Sequence, residues 1–173
     1  METKKCCYPG TFGPFHKGHD YVLQKGFELF DEVHLLFAKN PNKVENPLFL
    51  NASIKGIKDM YPYEIANGKL VIAELVVDEL TSDYCKKNDI HYIIRGFRGV
   101  GDVSEVDIAN NNRWLNNIDT ILIPSPGSYM GISSTFIRNI WRSVSPDMLC
   151  QLLPKEIVDR ITEEFVKDLM EKS

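Results

Sequence analysis

Two histidines three residues apart, His16 and His19, could handle a phosphate group. They follow a Gly/Pro-rich stretch, residues 8–14, and precede a run in which apolar residues recur on one helical face. A short apolar segment comes first, so the order is strand, loop, helix. In an α/β sheet this order places the loop at a helix N-terminus, where exposed N–H groups favour an anion. The structural alternative is a tight turn with a capping histidine.

Three glycines between residues 8 and 19, Gly10, Gly13 and Gly18, allow the backbone to approach a ligand closely. Their spacing matches neither the dinucleotide fingerprint nor a P-loop. Together, the glycines and the histidines therefore indicate an anion site of another kind.

Two arginines, Arg95 and Arg98, lie among glycines directly after a predicted strand at residues 91–94. Each guanidinium offers a planar fork of donors that matches phosphate oxygens, so the pair suits phosphate recognition. Two surface arginines in a flexible loop are the alternative explanation.

Three consecutive hydroxyl residues, Ser133, Ser134 and Thr135, follow a Gly-rich turn and open a predicted helix. Helix capping explains one serine but not the whole run, which indicates a second anion site. We expect this helix to continue to about Arg142, with Phe136, Ile140 and Trp141 facing inward.

The chain alternates between predicted strands and helices, which favours a parallel sheet covered on both faces. The expected fold is α/β: a Rossmann-like, doubly wound, five-stranded parallel sheet in three α/β/α layers, with strand-end loops on one edge. The predicted strands are 6–8, 33–38, 70–75, 91–94 and 120–123, and the predicted helices include 51–61, capped by Asn51, and 82–88, capped by Thr81 or Ser82.

The length of 173 residues favours one domain, residues 1–173, with a helical tail from about 145 to 173. The net charge is −4 and no basic run occurs, so we expect no nucleic-acid partner. We also expect no membrane anchor, a cytoplasmic location and reduced, buried cysteines. In the tail, an apolar stripe should pack on the body or on a neighbouring subunit.

The first stretch, Gly10-Thr11-Phe12-x-Pro14 followed by His16-x-Gly18-His19, resembles the (H/T)xGH motif of the nucleotidyltransferase superfamily. That family usually has Asp where this chain has Gly13. The run from residue 132 to 138 resembles the ISSTxIR motif of the same superfamily.

Residues 94–113 are similar to the RGLRxxxDFEYE…A..NR pattern of phosphopantetheine adenylyltransferases, with one residue fewer between Asp102 and Glu105. The turn ending in Lys43 is also typical of that family.

This resemblance implies transfer of AMP from ATP to 4′-phosphopantetheine, giving dephospho-coenzyme A and pyrophosphate by in-line attack. It implies His19, Lys43, Thr11 and Arg98 as catalytic residues, and Thr11, Lys43, Thr81 and Arg95 as the acceptor site. The implied ATP site comprises Thr11, Phe12, His16, His19, Gly96, Phe97, Arg98, Glu105, Tyr129, Met130, Gly131, Ile132, Ser133, Ser134 and Thr135. The polyphosphate of ATP implies bound Mg²⁺, and no metal site of the protein itself is evident from the sequence. The resemblance also implies a homo-oligomer, commonly a hexamer.

Two alternatives remain open from the sequence. His16 stands in the first place of the motif, as in many relatives that use nicotinamide mononucleotide or a phospho-alcohol as acceptor. Gly13 and the shortened spacing before Glu105 leave open a nucleotide-binding protein without catalysis.

Overall fold

The computed structural model describes residues 3–38, 46–76, 78–99 and 102–171. It contains five parallel strands and eight α-helices in those ranges. The strands are β1 (Lys5–Gly10), β2 (Glu32–Phe37), β3 (Leu70–Glu74), β4 (Tyr92–Phe97) and β5 (Asp119–Pro124). The helices are α1 (Lys17–Leu29), α2 (Pro47–Met60), α3 (Pro62–Ala66), α4 (Thr81–Lys87), α5 (Val103–Asn116), α6 (Ser134–Ile140), α7 (Pro146–Leu152) and α8 (Lys155–Glu171).

The sheet has the strand order β3-β2-β1-β4-β5, and its paired strands are all parallel. Successive residues of β1 enter different apolar clusters, since Cys6 and Tyr8 belong to one and Cys7 to the other. Helix α1 contributes Val22 and Leu23 to the first cluster, and α4 contributes Cys85 to the second. The sheet is therefore covered on both faces, which confirms the Rossmann-like three-layer prediction.

Several helix boundaries differ from the predictions. Helix α2 starts at Pro47 after Asn46, whose side chain accepts from the Leu48 N–H at 3.1 Å, so Asn51 as N-cap was wrong. Helix α3 was not predicted. At α4 the N-cap position is Leu80, without a side-chain cap bond, so neither Thr81 nor Ser82 is the cap.

Strand β4 is three residues longer at its carboxyl end than predicted, because it pairs with β5 through Phe97. Arg95 is therefore a strand residue, and its backbone is fixed by the sheet rather than free in a loop. In α6 the prediction that Phe136 faces inward was wrong: Ile137 is buried, whereas Phe136 is 46% exposed.

The C-terminal helix α8 packs along α2. Gly56 permits this contact, because an added Cβ would lie 2.5 Å from Cδ1 of Ile157. The predicted apolar stripe is confirmed at Ile157 and Ile161, which are buried, but at its end Leu169 is 50% exposed. Cys6, Cys7 and Cys85 are buried free thiols, and burial raises the pKa of the Cys6 thiol. Within the described ranges, no helix combines the length and apolarity that crossing a bilayer requires.

Candidate active site

A cleft of about 710 Å³ opens at the carboxyl ends of β1 and β4, which are neighbours in the sheet. The strand order reverses between these two strands, and open α/β sheets bind ligands at such a point. Most of the residues predicted to bind substrates line this one cleft: Thr11, Phe12, His16, His19, Thr81, Arg95, Gly96, Arg98, Glu105, Tyr129, Ile132, Ser133, Ser134 and Thr135.

Four of the predicted site residues are not part of this lining. Phe97, Met130 and Gly131 lie next to lining residues but do not themselves border the cleft. Lys43, like the rest of the turn from 39 to 45, lies outside the residues that the structure describes. Its role stays a prediction.

The two motif histidines form a reciprocal cap at the start of α1. Nδ1 of His16 accepts from the His19 N–H, and Nδ1 of His19 accepts from the His16 N–H, both at 3.3 Å. The two rings stack with centroids 3.6 Å apart. The capping alternative and the cleft-lining prediction therefore both hold for these residues, because each ring caps the helix and borders the cleft.

This cap fixes the tautomers of both rings. An imidazole nitrogen that accepts a hydrogen bond carries no proton, so the remaining proton of each neutral ring is on Nε2. Burial, together with the nearby charge of Arg98, lowers the pKa of His16 to about 4. At neutral pH, His16 is an uncharged donor rather than a cation.

Phe12 packs the motif loop onto the core beneath the histidines. Its ring lies 5.1 Å from those of Tyr8 and His19 and 5.2 Å from that of Phe37, and the residue is 1% exposed. A Cβ on Gly10 would lie 2.7 Å from this ring, so the packing of Phe12 accounts for a glycine there. With its ring buried, Phe12 can offer a ligand chiefly its backbone.

Each of the two cleft arginines has a carboxylate partner. Arg95 makes two bonds to Glu105, through Nε to Oε2 and, at 2.8 Å, through Nη2 to Oε1. Arg98 donates to Asp102 from Nε and Nη2, both at 3.2 Å, and from its backbone N–H at 2.8 Å. Burial would raise the pKa of Asp102, but these bonds from Arg98 outweigh it and lower that pKa. The positive charge that the arginines bring to the cleft is therefore locally neutralised.

The three hydroxyls at the start of α6 make different bonds. The Ser133 side chain is the N-cap and accepts from the Phe136 N–H at 3.1 Å, which confirms it as a cap. Ser134 donates to the carbonyl of Pro14 at 2.9 Å. Thr135 accepts from Arg138 at 3.0 Å. All three border the cleft, yet the hydrogen of Ser134 is already committed to the motif loop.

Comparison with known proteins decides the family. A family model described as "Cytidylyltransferase-like" matches residues 7–140. The phosphopantetheine adenylyltransferase of Pelagibacter ubique is 35% identical over 172 residues, covering 98% of each chain. That of an Arthrobacter species is 30% identical over 140 residues, covering 80% of this chain and 84% of its own.

This chain belongs to the phosphopantetheine adenylyltransferase family. Among solved structures, the nicotinic acid mononucleotide adenylyltransferase of Plasmodium falciparum, complexed with NaAD, superposes with a TM-score of 0.65. The overlay covers 96% of this chain and 98% of that one, at 18% identity, and so shows a shared fold.

The chain departs from the usual adenylyltransferase pattern at two places, and the structure shows the local result of each. At Gly13 an added Cβ would meet only the Thr11 carbonyl, at 3.7 Å, so the space for a side chain remains. Despite the shortened spacing after Asp102, Glu105 still borders the cleft.

Three residues without a predicted role bear on this site: Asp102 borders the cleft, whereas Arg138 and Ser53 lie outside its lining and contact the motif loop. Arg138 is the arginine of the quoted ISSTxIR-like run, but its contact with the Gly13 carbonyl, at 2.5 Å, joins residues 125 positions apart. Ser53 is fully buried in α2 and accepts from the Phe15 N–H at 2.8 Å. Asp102 stood in the quoted pattern without a role. The sequence carries no signal for Ser53, because its burial and its contact with Phe15 both depend on the tertiary structure.

Proposed function

We propose that this chain transfers AMP from ATP to 4′-phosphopantetheine, giving dephospho-coenzyme A and pyrophosphate. The observation that carries the proposal is the 35% identity with a phosphopantetheine adenylyltransferase along 98% of both chains. The cleft adds support, since it gathers the motif residues of the first, fourth and fifth strand ends at one edge of the sheet.

The reaction is a direct displacement at phosphorus. An oxygen of the acceptor phosphate forms a bond to the α-phosphorus of ATP, and the bond from that phosphorus to the α,β-bridging oxygen breaks, releasing pyrophosphate. A phosphate monoester is already an anion at neutral pH, because its second pKa is about 6. The attack therefore needs no general base and no covalent intermediate, and the barrier is mainly the approach of two polyanions.

The catalytic roles follow the positions around the cleft. We assign His19 to the α-phosphate, where its Nε2–H would stabilise charge that develops in the transition state. Thr11 would contact both substrates, and Lys43 would hold the reacting phosphates. On the other side, Arg95 and Thr81 would bind the acceptor.

The nucleotide would be held by the β4–α5 segment and the start of α6. Arg98 would bind the phosphates and Glu105 the nucleoside, while the hydroxyls of Ser133 and Thr135 would face the triphosphate. His16 would remain an uncharged neighbour, since its pKa lies near 4.

We propose that Mg²⁺ enters as part of the ATP complex. Within residues 3–38, 46–76, 78–99 and 102–171, no group of three or more His, Cys, Asp or Glu is arranged to hold a metal ion. The cleft carboxylates Asp102 and Glu105 are engaged by arginines. Phosphate oxygens are the ligands that Mg²⁺ prefers in such sites, so the substrate itself would carry it.

We also propose a homo-oligomer, a hexamer by family resemblance, located in the cytoplasm. Light scattering on the purified chain would measure the number of copies.

A panel of acceptors tests the function. Purified protein with ATP and Mg²⁺ should release pyrophosphate with 4′-phosphopantetheine and should make dephospho-coenzyme A, detected by mass. Turnover of nicotinamide mononucleotide alone would instead favour the alternative that the histidine at position 16 suggests. ATP binding by calorimetry, with no pyrophosphate from any acceptor, would identify a non-catalytic relative.

A further inference from the structure

The backbone of three consecutive residues in the motif loop is held by side chains from distant elements. The Gly13 carbonyl accepts from Nη1 of Arg138 at 2.5 Å, and the Pro14 carbonyl accepts from the Ser134 hydroxyl at 2.9 Å. The Phe15 N–H donates to the Ser53 hydroxyl at 2.8 Å. Two of these partners are on α6 and one is on α2, so the loop is fastened from two directions.

The position of this loop sets the position of the residues on either side of it. Thr11 and Phe12 precede it, and His16, the cap of α1, follows it directly. Loops lack the repeating backbone bonds of helices and strands, so their polar groups need other partners. Fixing Gly13 to Phe15 therefore fixes the spacing between Thr11 and the histidines.

The bonds of Ser134 separate its role from those of its neighbours. A serine hydroxyl has one hydrogen to donate, and Ser134 gives it to Pro14. The Ser133 hydroxyl accepts from the Phe136 N–H, and the Thr135 hydroxyl accepts from Arg138. Each of these two hydroxyls therefore keeps its own hydrogen for donation. A phosphate oxygen can only accept, so Ser133 and Thr135 can donate to it directly, whereas Ser134 would first have to release Pro14.

Arg138 joins the same two segments. Its Nη1 reaches the Gly13 carbonyl while its Nη2 reaches the Thr135 hydroxyl, at 2.5 and 3.0 Å. One planar guanidinium thus holds the motif loop against the start of α6, with two of its nitrogens occupied.

We propose that Ser53, Ser134 and Arg138 are positioning residues, which hold the motif loop and the start of α6 at a fixed separation. They act through Thr11, the histidines and the other hydroxyls rather than on the substrates themselves. The proposal rests on the proposed function for its effect on catalysis, but its structural part stands on the three bonds.

Hydrogen exchange without substrates tests the structural part. Amides of residues 11–13, 15 and 16 should exchange about tenfold faster in Ser134→Ala and in Arg138→Met than in the wild type, since each variant loses an attachment of the loop. Ser134→Thr keeps a donor hydroxyl and should restore slow exchange. Asn139→Ala, an exposed change on the same helix, is the matched control and should change nothing. Ser53→Ala would also leave the buried Phe15 N–H without its acceptor, so a loss of folding stability would mask its effect on the loop.

Steady-state kinetics test the catalytic part. In both variants kcat should fall roughly 10- to 100-fold, as expected for a misplaced site, while KM and the calorimetric Kd for ATP stay within about threefold. A Kd for ATP raised more than tenfold with unchanged exchange would overturn the proposal, because it would make these residues phosphate ligands. Unchanged exchange and unchanged kcat would overturn it equally. If the wild type turned over no acceptor, the proposed function would fail while the exchange result still decided the positioning role.

Discussion

The histidine side and the arginine side of the cleft satisfy their polar groups in different ways. At the start of α1, each ring accepts a backbone N–H from the other histidine, and His16 is 7% exposed. Across the cleft, both arginines are bound to carboxylates at or near the start of α5, and the side chain of Arg98 is 45% exposed. Helix α5 has no buried residue.

The difference means that the histidine side is already arranged before substrate binds. On the arginine side, the guanidinium groups must exchange a carboxylate for a phosphate. The reciprocal cap uses Nδ1 of both rings, so His16 can donate to a substrate from Nε2 without breaking that cap. An arginine that binds a phosphate through its fork must first release a carboxylate. Exposed ion pairs contribute only about 0–1 kcal/mol, so this exchange costs little at Arg98 and more at the sheltered Arg95.

Removing the imidazole of His19, on the histidine side of the cleft, should change the turnover rate more than any other substitution considered below. His19→Ala is expected to lower kcat roughly 100- to 1000-fold, since the donor that we propose for the developing charge is lost. Pyrophosphate release with saturating ATP and 4′-phosphopantetheine measures it.

His19→Gln is the matched control for the structural role of the same residue. A glutamine at the third helical position can accept the His16 N–H, as in an ordinary capping box, but brings no imidazole. Both variants should be equally impaired in turnover, and only the alanine variant should melt at a lower temperature. Activity restored by glutamine would show that His19 serves only to cap the helix.

Lowering the pH should reduce the free energy of unfolding through protonation of His16, on the histidine side of the cleft. Its pKa is about 6.5 in the unfolded chain and about 4 when folded, so the unfolded state binds the proton more readily. The contribution to stability is complete above pH 6.5 and is lost as the pH falls toward 4. At pH 5 the loss should be about 2 kcal/mol relative to pH 7.5.

His16→Asn isolates that contribution, because asparagine caps a helix well and does not titrate in this range. Urea unfolding at pH 7.5 and 5.0 should show a smaller drop for the variant than for the wild type. Equal drops would mean that His16 gains its proton without penalty in the folded protein.

On the arginine side, neutralising the carboxylate of Glu105 should strengthen binding of the acceptor rather than weaken it. Glu105→Gln leaves the charge of Arg95 without a counter-ion, so KM for 4′-phosphopantetheine should fall roughly 5- to 10-fold, equivalent to about 1 kcal/mol. KM for ATP should rise, because Glu105 is assigned to the nucleotide. Asp102→Asn, beside the more exposed Arg98, is the comparison and should leave the acceptor KM unchanged. A raised acceptor KM in Glu105→Gln would mean that the ion pair holds Arg95 in its binding position.

The parts of the fold and site that the sequence predicted were set by local patterns. Apolar strand segments that alternate with helical segments predicted the five parallel strands. The order of strand, loop and helix predicted where His16 and His19 would lie. Because carboxyl ends of parallel strands share an edge, the same reasoning predicted that Arg95 and Thr135 would border one cleft.

The parts that could not be predicted depend on contacts between distant segments. Nothing local to Arg95 indicates that its fork closes on Glu105, ten residues later and across a connection into α5. The inward side of a two-turn helix is equally undetermined when Phe136 and Ile137 are adjacent and both apolar. Ser53 reads as an ordinary helical serine until the Phe15 N–H is placed beside it.

The strand order of the sheet has a consequence for how such enzymes diverge. The segment after β1 leads to α1 on one face, and the segment after β4 leads to α5, which contacts α4 on the other. The opening between them arises from chain topology rather than from missing core atoms, and residues such as Leu23 and Ile94 beneath it remain fully enclosed. Substitutions on the rim can therefore accumulate without loosening the interior. The same architecture is present in the Plasmodium structure at 18% identity.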